Sequence, residues 1–362
     1  MLEKNKKCLN KKFLFLSLRG LGDTVIQSQF ILNLVKNNPY SVFYVITYEN
    51  NKFVYDLNKH ENLKVITIEN ERGFTFFNKL KIILNLIKLR FSIRATLFDY
   101  SIDMVGDIRE FIISKFFASK IFYFTFSSKH LYSNMVIPIK FFVNSKNDTQ
   151  FYLENNSKNI YSIYKDYFRF ISKKLNLKFN YSNSKLNSIS LIKRRKKNNL
   201  INIAFHPFAS INSNNWPLKS WECLAKILIK RKDVIINIFC AENDKTKLKN
   251  FFQHKKIKIK SLPLNRFSFE LKKNDLSICS DSFSSHISHF LKINSIIIYG
   301  SNDHRLFQPP GTIAICENGG CNFYPCFNKP KCIGTNYEYS CINSISCNYV
   351  YNNIKNILEN YR

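Results

Sequence analysis

Short apolar runs alternate with segments of helical periodicity along most of this chain, in two stretches separated by a polar one. Such alternation builds a parallel sheet with helices on its faces. In the first stretch, strands are expected at Lys12–Leu18, Ser41–Thr47, Leu63–Ile68 and Leu97–Met104, and helices at Thr24–Lys36 and Lys79–Arg90. Asn37-Asn38-Pro39 stops the first helix. Residues 145–200 are rich in Asn, Ser, Lys and Tyr and hold one helical piece, Asn159–Leu175, before a basic linker, Lys193–Asn199. Alternation then resumes. Strands are expected at Ile201–Phe205, Val234–Cys240, Ile257–Ile259, Asp275–Cys279 and Ser295–Tyr299, and helices at Ser220–Lys230, Lys245–Phe252, Ser284–Leu291 and Asn348–Tyr361.

The expected fold is therefore α/β, with two doubly wound, Rossmann-like domains facing a cleft. Their expected bounds are residues 1–195 and 196–345, with 346–362 as a closing helix. Ligands in such sheets sit beyond the carboxyl ends of the strands, so loops at those ends are the places to look for chemistry.

The 55 Lys and Arg against 25 Asp and Glu leave a net charge of +30, which attracts anionic surfaces. Lys, Asn, Ile and Phe are enriched together, so compositional drift accounts for part of that charge. No basic recognition helix, zinc-finger spacing or RNA-binding signature accompanies it, so no nucleic-acid partner is expected. No stretch approaches the ~20 apolar residues of a membrane span. The apolar run Phe13–Leu18 is too short for a secretory leader and lacks a small-residue cleavage site. A cytoplasmic location is expected, with disulfides disfavoured.

Three loops carry polar residues where the fold calls for a ligand. In the first, LSLRGLGD (residues 16–23), Gly20 and Gly22 are expected to let the strand-to-helix turn pass tightly and admit a ligand, with Arg19 beside them for an acceptor or phosphate. Asp23 stands at the helix entrance, either as a general base toward a sugar hydroxyl or as the helix N-cap. In the second, Ser210, Asn212, Ser213, Asn214 and Asn215 precede Trp216-Pro217 and a helix capped by Ser220; their side chains suit phosphate or ribose oxygens, or a plain surface loop. In the third, Asp281, Ser282, Ser284, Ser285 and His286 surround a helix start, where amides and dipole favour an anion.

These segments, in order and spacing, resemble the ADP-heptose:lipopolysaccharide heptosyltransferases of glycosyltransferase family 9. Gly22-Asp23, His206-Pro207, Ala209-Ser210, Trp216-Pro217, and Asp281 with His286 and Gly300 keep the family's register, and FDYSIDMVGDIREFIISKFFASK is similar to its early-middle segment. The resemblance implies a GT-B fold with the acceptor in the first domain and the donor in the second. It implies inverting, metal-independent transfer of heptose from ADP-heptose to lipopolysaccharide core, with no cofactor, at the cytoplasmic face of the inner membrane. On this reading the partners are a nucleotide sugar, a lipopolysaccharide core or related glycolipid, and an anionic membrane surface. Asp23 is then the base, and Ser210, Asn214, Asp281, Ser282, Ser284, Ser285 and His286 hold the donor.

Two departures stand out. The family's donor-contacting Lys falls on Asn214, and its Gly and Pro near the third loop fall on Phe283 and Ser284. Lys219, Arg305 and Arg19 are candidate substitute cations. The alternatives are another nucleotide sugar, a protein acceptor, or a catalytically impaired nucleotide- or glycan-binding homologue.

Six of the ten cysteines lie between Cys316 and Cys347. Cys321, Cys326, Cys332 and Cys341 lack the CxxC knuckles of structural zinc sites. Reduced thiols lining a C-terminal substructure are expected, with no metal required. A four-thiolate structural site is the alternative, and the four resemble the family's cysteine-bearing ending.

Overall fold

The structure is a computed structural model that describes residues 11–69, 84–91, 98–104, 108–118, 120–126, 146–153, 158–181, 200–327 and 330–359. The basic linker expected at 193–199 lies outside them, as do parts of the segments expected at 79–90 and 97–104. The chain divides into two compact units, Met1–Ser182 and Asn183–Arg362.

In the first unit the strands are β1 (Lys12–Ser17), β2 (Val42–Tyr48), β3 (Leu63–Ile68), β4 (Tyr100–Asp103), β5 (Ile121–Phe126) and β6 (Asp148–Leu153). All pair in parallel, in the order β3-β2-β1-β4-β5-β6. The central β1 is an unbroken apolar run because both of its faces are covered. The helices are α1 (Leu21–Asn37), the short α2 (Lys52–Asp56), α3 (residues 84–91), α4 (Ile108–Phe117) and α5 (Ile160–Leu175). Phe15 stacks on Phe168 of α5, which meets Phe30 of α1. On the opposite sheet face, Leu14, Leu16, Tyr44 and Ile46 pack with Leu86 of α3 and Phe117 of α4.

The second unit repeats the design. Its strands are β7 (Ile201–His206), β8 (Val234–Cys240), β9 (Ile257–Ser261), β10 (Leu276–Ser280), β11 (Asn294–Ile298) and β12 (Ile313–Ile315), parallel in the order β12-β11-β10-β7-β8-β9. Its helices are α6 (Leu218–Leu228), α7 (Glu242–Phe251), α8 (Leu264–Leu271), α9 (Phe283–Phe290), α10 (His304–Phe307), α11 (Ser340–Asn343) and α12 (Cys347–Glu359). Val350, Ile354, Ile357 and Leu358 of α12 join the core around Trp216 and Trp221, and the Trp216 indole N–H donates to the Ile345 carbonyl (2.9 Å). The closing helix is thus packed into this unit's core.

In each sheet the chain reverses its direction of winding between two adjacent strands, β1 and β4 in one unit and β7 and β10 in the other. Loops from such neighbours leave the sheet side by side, which opens a ligand-sized crevice.

Three expectations need correction. Cys223 of α6 and Cys347 of α12 form a disulfide, whereas disulfides were disfavoured; the two helices pack together and bring the Cα atoms to 6.2 Å, a separation a disulfide spans. Ser220 does not cap α6, because the helix begins at Leu218 with Pro217 as its N-cap. Asp23 does not cap α1, because that helix starts three residues earlier than expected, at Leu21 after Gly20.

Candidate functional site

At the carboxyl end of β1 the chain turns through Leu18, Arg19 and Gly20 into α1. Asn51 fixes the turn, its side-chain amide donating to the Arg19 carbonyl (2.9 Å) and the Thr24 hydroxyl (2.8 Å). Below it, Ser17 donates to Gln27 (2.8 Å), and Gln27 donates to the Tyr164 hydroxyl (3.1 Å). Gly20 has φ −55°, which any residue adopts, and a Cβ there meets Asp23 only at an ordinary 3.8 Å. The glycine is not needed for a strained turn; what it leaves is open backbone beside a carboxylate.

Asp23 lies in the first helical turn, where the helix dipole favours an anion. Solvent reaches it, yet the protein crowded around it raises its pKa, and the nearby Arg19 guanidinium acts in the opposite direction. A carboxylate that is accessible and more basic than usual is suited to taking a proton. Arg19 also pairs with the buried Glu110 at the start of α4 (3.5 Å). Sequence reasoning gave Glu110, Asn51 and Gln27 no role, since nothing local marks them; only the turn shows what they hold.

In the second unit, three loops leave adjacent strands β7, β10 and β11. The β10 turn carries Asp281 and Ser282 into α9. Asp281 is buried, its carboxylate accepts from the Asn302 side chain (2.6 Å), and burial raises its pKa to about 6 against that hydrogen bond. Ser282 caps α9, accepting from the Ser284 amide at a long 3.4 Å. Its carbonyl accepts from the Ser285 amide (3.1 Å) and hydroxyl (2.7 Å). The amides of Ser284 and Ser285 are therefore met from within the chain, Ser284 only weakly.

His286 is buried, and burial together with His289 lowers its pKa to about 3, so it is neutral near pH 7. The Phe283 ring meets His206 edge-on at 5.6 Å and Phe267 at 5.5 Å. The bulky residue at that position thus packs against the end of β7 and against α8.

The β7 and β11 loops are locked together. A Cβ on Gly300 falls 1.8 Å from the Ser213 carbonyl oxygen, so the backbones approach as only glycine permits. The Asn214 side-chain oxygen accepts from the Ser301 amide (3.0 Å) and hydroxyl (3.2 Å), and Ser213 and Ser301 share a hydroxyl–hydroxyl bond of 2.7 Å. Asn214, expected to meet the donor, is buried with its acceptor oxygen committed to this latch. Ser210 is exposed on the same loop.

Of the candidate substitute cations, Arg305 is held by Asp303 (2.7 Å), Arg19 pairs with Glu110, and Lys219 is exposed. Cys321, Cys332 and Cys341 are buried and Cys326 half-buried, and the Tyr339 amide donates to Cys332 Sγ (3.5 Å). Among the described residues no three His, Cys, Asp or Glu side chains are arranged to hold a metal ion.

The sequence profile of glycosyltransferase family 9 (heptosyltransferase) matches residues 87–336, more than half of the chain. A search of curated protein sequences finds no significant match. Among solved structures, E. coli heptosyltransferase WaaC with ADP-2-deoxy-2-fluoro heptose superposes with TM-score 0.67 at 13% identity, over 95% of this chain and 99% of that one. A family 9 glycosyl transferase from Veillonella parvula gives 0.68 at 15% identity, over 97% and 98%. E. coli ADP-heptose lps heptosyltransferase II gives 0.65 at 13%, over 96% and 98%. The fold is thus that of the GT-B heptosyltransferases.

Proposed function

The chain belongs to glycosyltransferase family 9, and from that premise we propose that it moves heptose from ADP-heptose onto a lipopolysaccharide core or related glycolipid. The acceptor hydroxyl oxygen attacks the anomeric carbon and gives its proton to the Asp23 carboxylate. The bond from that carbon to the diphosphate breaks and ADP leaves with the electron pair. One displacement of this kind inverts the anomeric centre and needs no metal. Unit one supplies the base. Unit two supplies the donor-binding turn, where Asp281 accepts from sugar hydroxyls and the α9 start, with Ser282, Ser284, Ser285 and His286, meets the charge growing on the leaving diphosphate. Ser210 serves the nucleotide side, while Arg19, Gly20 and Gly22 leave room for the acceptor. The protein acts at the cytoplasmic face of the inner membrane, where such an acceptor resides.

The observation that carries this reading is Asp23 in the first turn of α1, uncapped, accessible and more basic than usual. Release of ADP from ADP-heptose in the presence of truncated lipopolysaccharide tests it. Asp23→Ala is expected to lower turnover about 10²–10⁴-fold while ADP binding stays within twofold. Turnover near the parent level in that variant removes Asp23 from the mechanism.

A second reading, another nucleotide sugar as donor, is favoured by Asn214 and Phe283. One is committed to the Ser301 latch and the other to the His206–Phe267 contact, where the family has a cation and a glycine. Competition by a panel of nucleotide sugars against ADP-heptose separates the two readings.

A further inference from the structure

On the first unit, α3 and α4 turn unusual faces outward. A surface helix ordinarily shows water its charged side. Leu84, Ile87 and Phe91 of α3 are 47, 36 and 60% exposed, at the spacing of one helical stripe. Ile112 and Phe116 of α4, one turn apart, are 48 and 45% exposed. The inward faces of the same helices, through Leu86, Leu89, Ile113 and Phe117, cover one side of the sheet. The Arg90 guanidinium donates to the Phe116 carbonyl (3.2 Å), which ties the two helices together in one layer. These two helices carry five of the thirteen large apolar side chains exposed among the described residues. Clustering on this scale marks an interaction surface.

The exposed charge on the described residues of α3 is positive. Lys88 is exposed within the stripe, Arg90 is beside it, and Lys120 is exposed just past α4. Of the nearby described acids, Glu110 and Asp148 are buried in ion pairs with Arg19 and Lys115, and the exposed Asp99 accepts from the Lys12 amide.

We infer that the outward faces of α3 and α4 dock this protein onto an anionic bilayer surface, with the apolar side chains entering the headgroup boundary and the lysines meeting lipid phosphates. Apolar stripe and cations together match such a surface. A second copy of the chain fits less well, since a self-complementary contact sets the same cations against one another. The α4 helix also links this face to the proposed acceptor side. Its first turn holds Glu110, bound to Arg19, and Phe116 lies about 9 Å further along the axis. The inference rests on the reading of a membrane-borne acceptor for its purpose, but vesicle binding is measured without any transfer.

The test is flotation of the full chain with phosphatidylglycerol/phosphatidylcholine vesicles and with phosphatidylcholine vesicles alone. Binding to the anionic vesicles is expected, at least tenfold tighter than to the neutral ones. The variant Ile87→Ser/Phe91→Ser/Phe116→Ser is expected to lose at least tenfold in partitioning with its circular dichroism unchanged; Phe91→Ser alone serves if the triple variant unfolds. Lys88→Glu is expected to weaken binding, whereas Lys255→Ser/Lys258→Ser, an equal change in net charge on the second unit, stays within twofold. The idea is overturned if the serine variants bind as the parent does, or if the lysine control weakens binding as much as Lys88→Glu. A parent dimer that the serine substitutions convert to monomer also overturns it, in favour of self-association. Transfer to a short soluble acceptor by the serine variant reports on the proposed activity separately.

Discussion

Gly300 leaves no space for a side chain, since the Ser213 carbonyl occupies the position its Cβ takes. Relief requires moving backbone on one of two packed loops. Gly300→Ala is therefore expected to destabilise the fold by about 3 kcal/mol, read as a lowered midpoint in urea, and to disturb the Asn214–Ser301 latch. An unchanged midpoint means the β7 and β11 loops do not press on each other as described. Sequence reading placed Gly300 in register but had no means of assigning it this partner, which lies 87 residues earlier. Asp23 was the opposite case. Its neighbours alone left base and N-cap evenly open, and the start of α1 at Leu21 removes the N-cap role. Gly20 as N-cap frees the Asp23 carboxylate from that duty. For Asn214 the residue type suits phosphate, and only the fold shows its side-chain oxygen bound to Ser301.

The α9 helix illustrates what an element adds. Its cap is weak, a 3.4 Å bond from the Ser284 amide to Ser282, beside a 2.7 Å bond between the two hydroxyls. Ser282→Ala is expected to cost about 1 kcal/mol or less, a small shift in urea midpoint, with circular dichroism unchanged. A loss of several kcal/mol shows that Ser282 holds far more than this cap. Elements with apolar runs and clean stops were legible from sequence; buried β8 and the half-exposed β3 both fall where apolar runs and flanking turns put them. Others were not. β6 is a six-residue strand in a stretch dominated by Asn, Ser and Lys, and pairs in parallel with β5 at the sheet edge. α8 is eight residues after a proline, with Phe267 and Leu271 buried, too short for periodicity to declare itself. The Cys223–Cys347 pair was hidden by a separation of 124 residues and by reasoning from location rather than from packing.

For the molecule as a whole, acid is the informative stress. His286 and His289 are buried, with pKa values lowered to about 3 and about 4, below the ordinary 6.5. Between those values the unfolded chain binds protons the folded chain refuses, so the stability they allow is present above pH 6.5 and drains as pH falls. At pH 5 the loss is about 2 kcal/mol for each. Asp281 works the other way. Its pKa is raised to about 6, so lowering pH relieves the cost of a buried carboxylate and returns about 1 kcal/mol by pH 5. His206 of β7, lowered to about 4 by burial, acts in the same sense, so the histidines outweigh Asp281 and Tm is expected to fall by roughly 10 °C from pH 7 to pH 5. The net charge of +30 also strains the fold as acid adds protons. Thermal unfolding in about 0.3 M salt, where the screening length falls to several ångströms, leaves mainly the buried groups in view. A drop that vanishes in salt assigns acid sensitivity to surface charge, whereas one that persists assigns it to the buried histidines, His286 and His289 of α9 together with His206 at the end of β7, whose pKa burial also lowers to about 4.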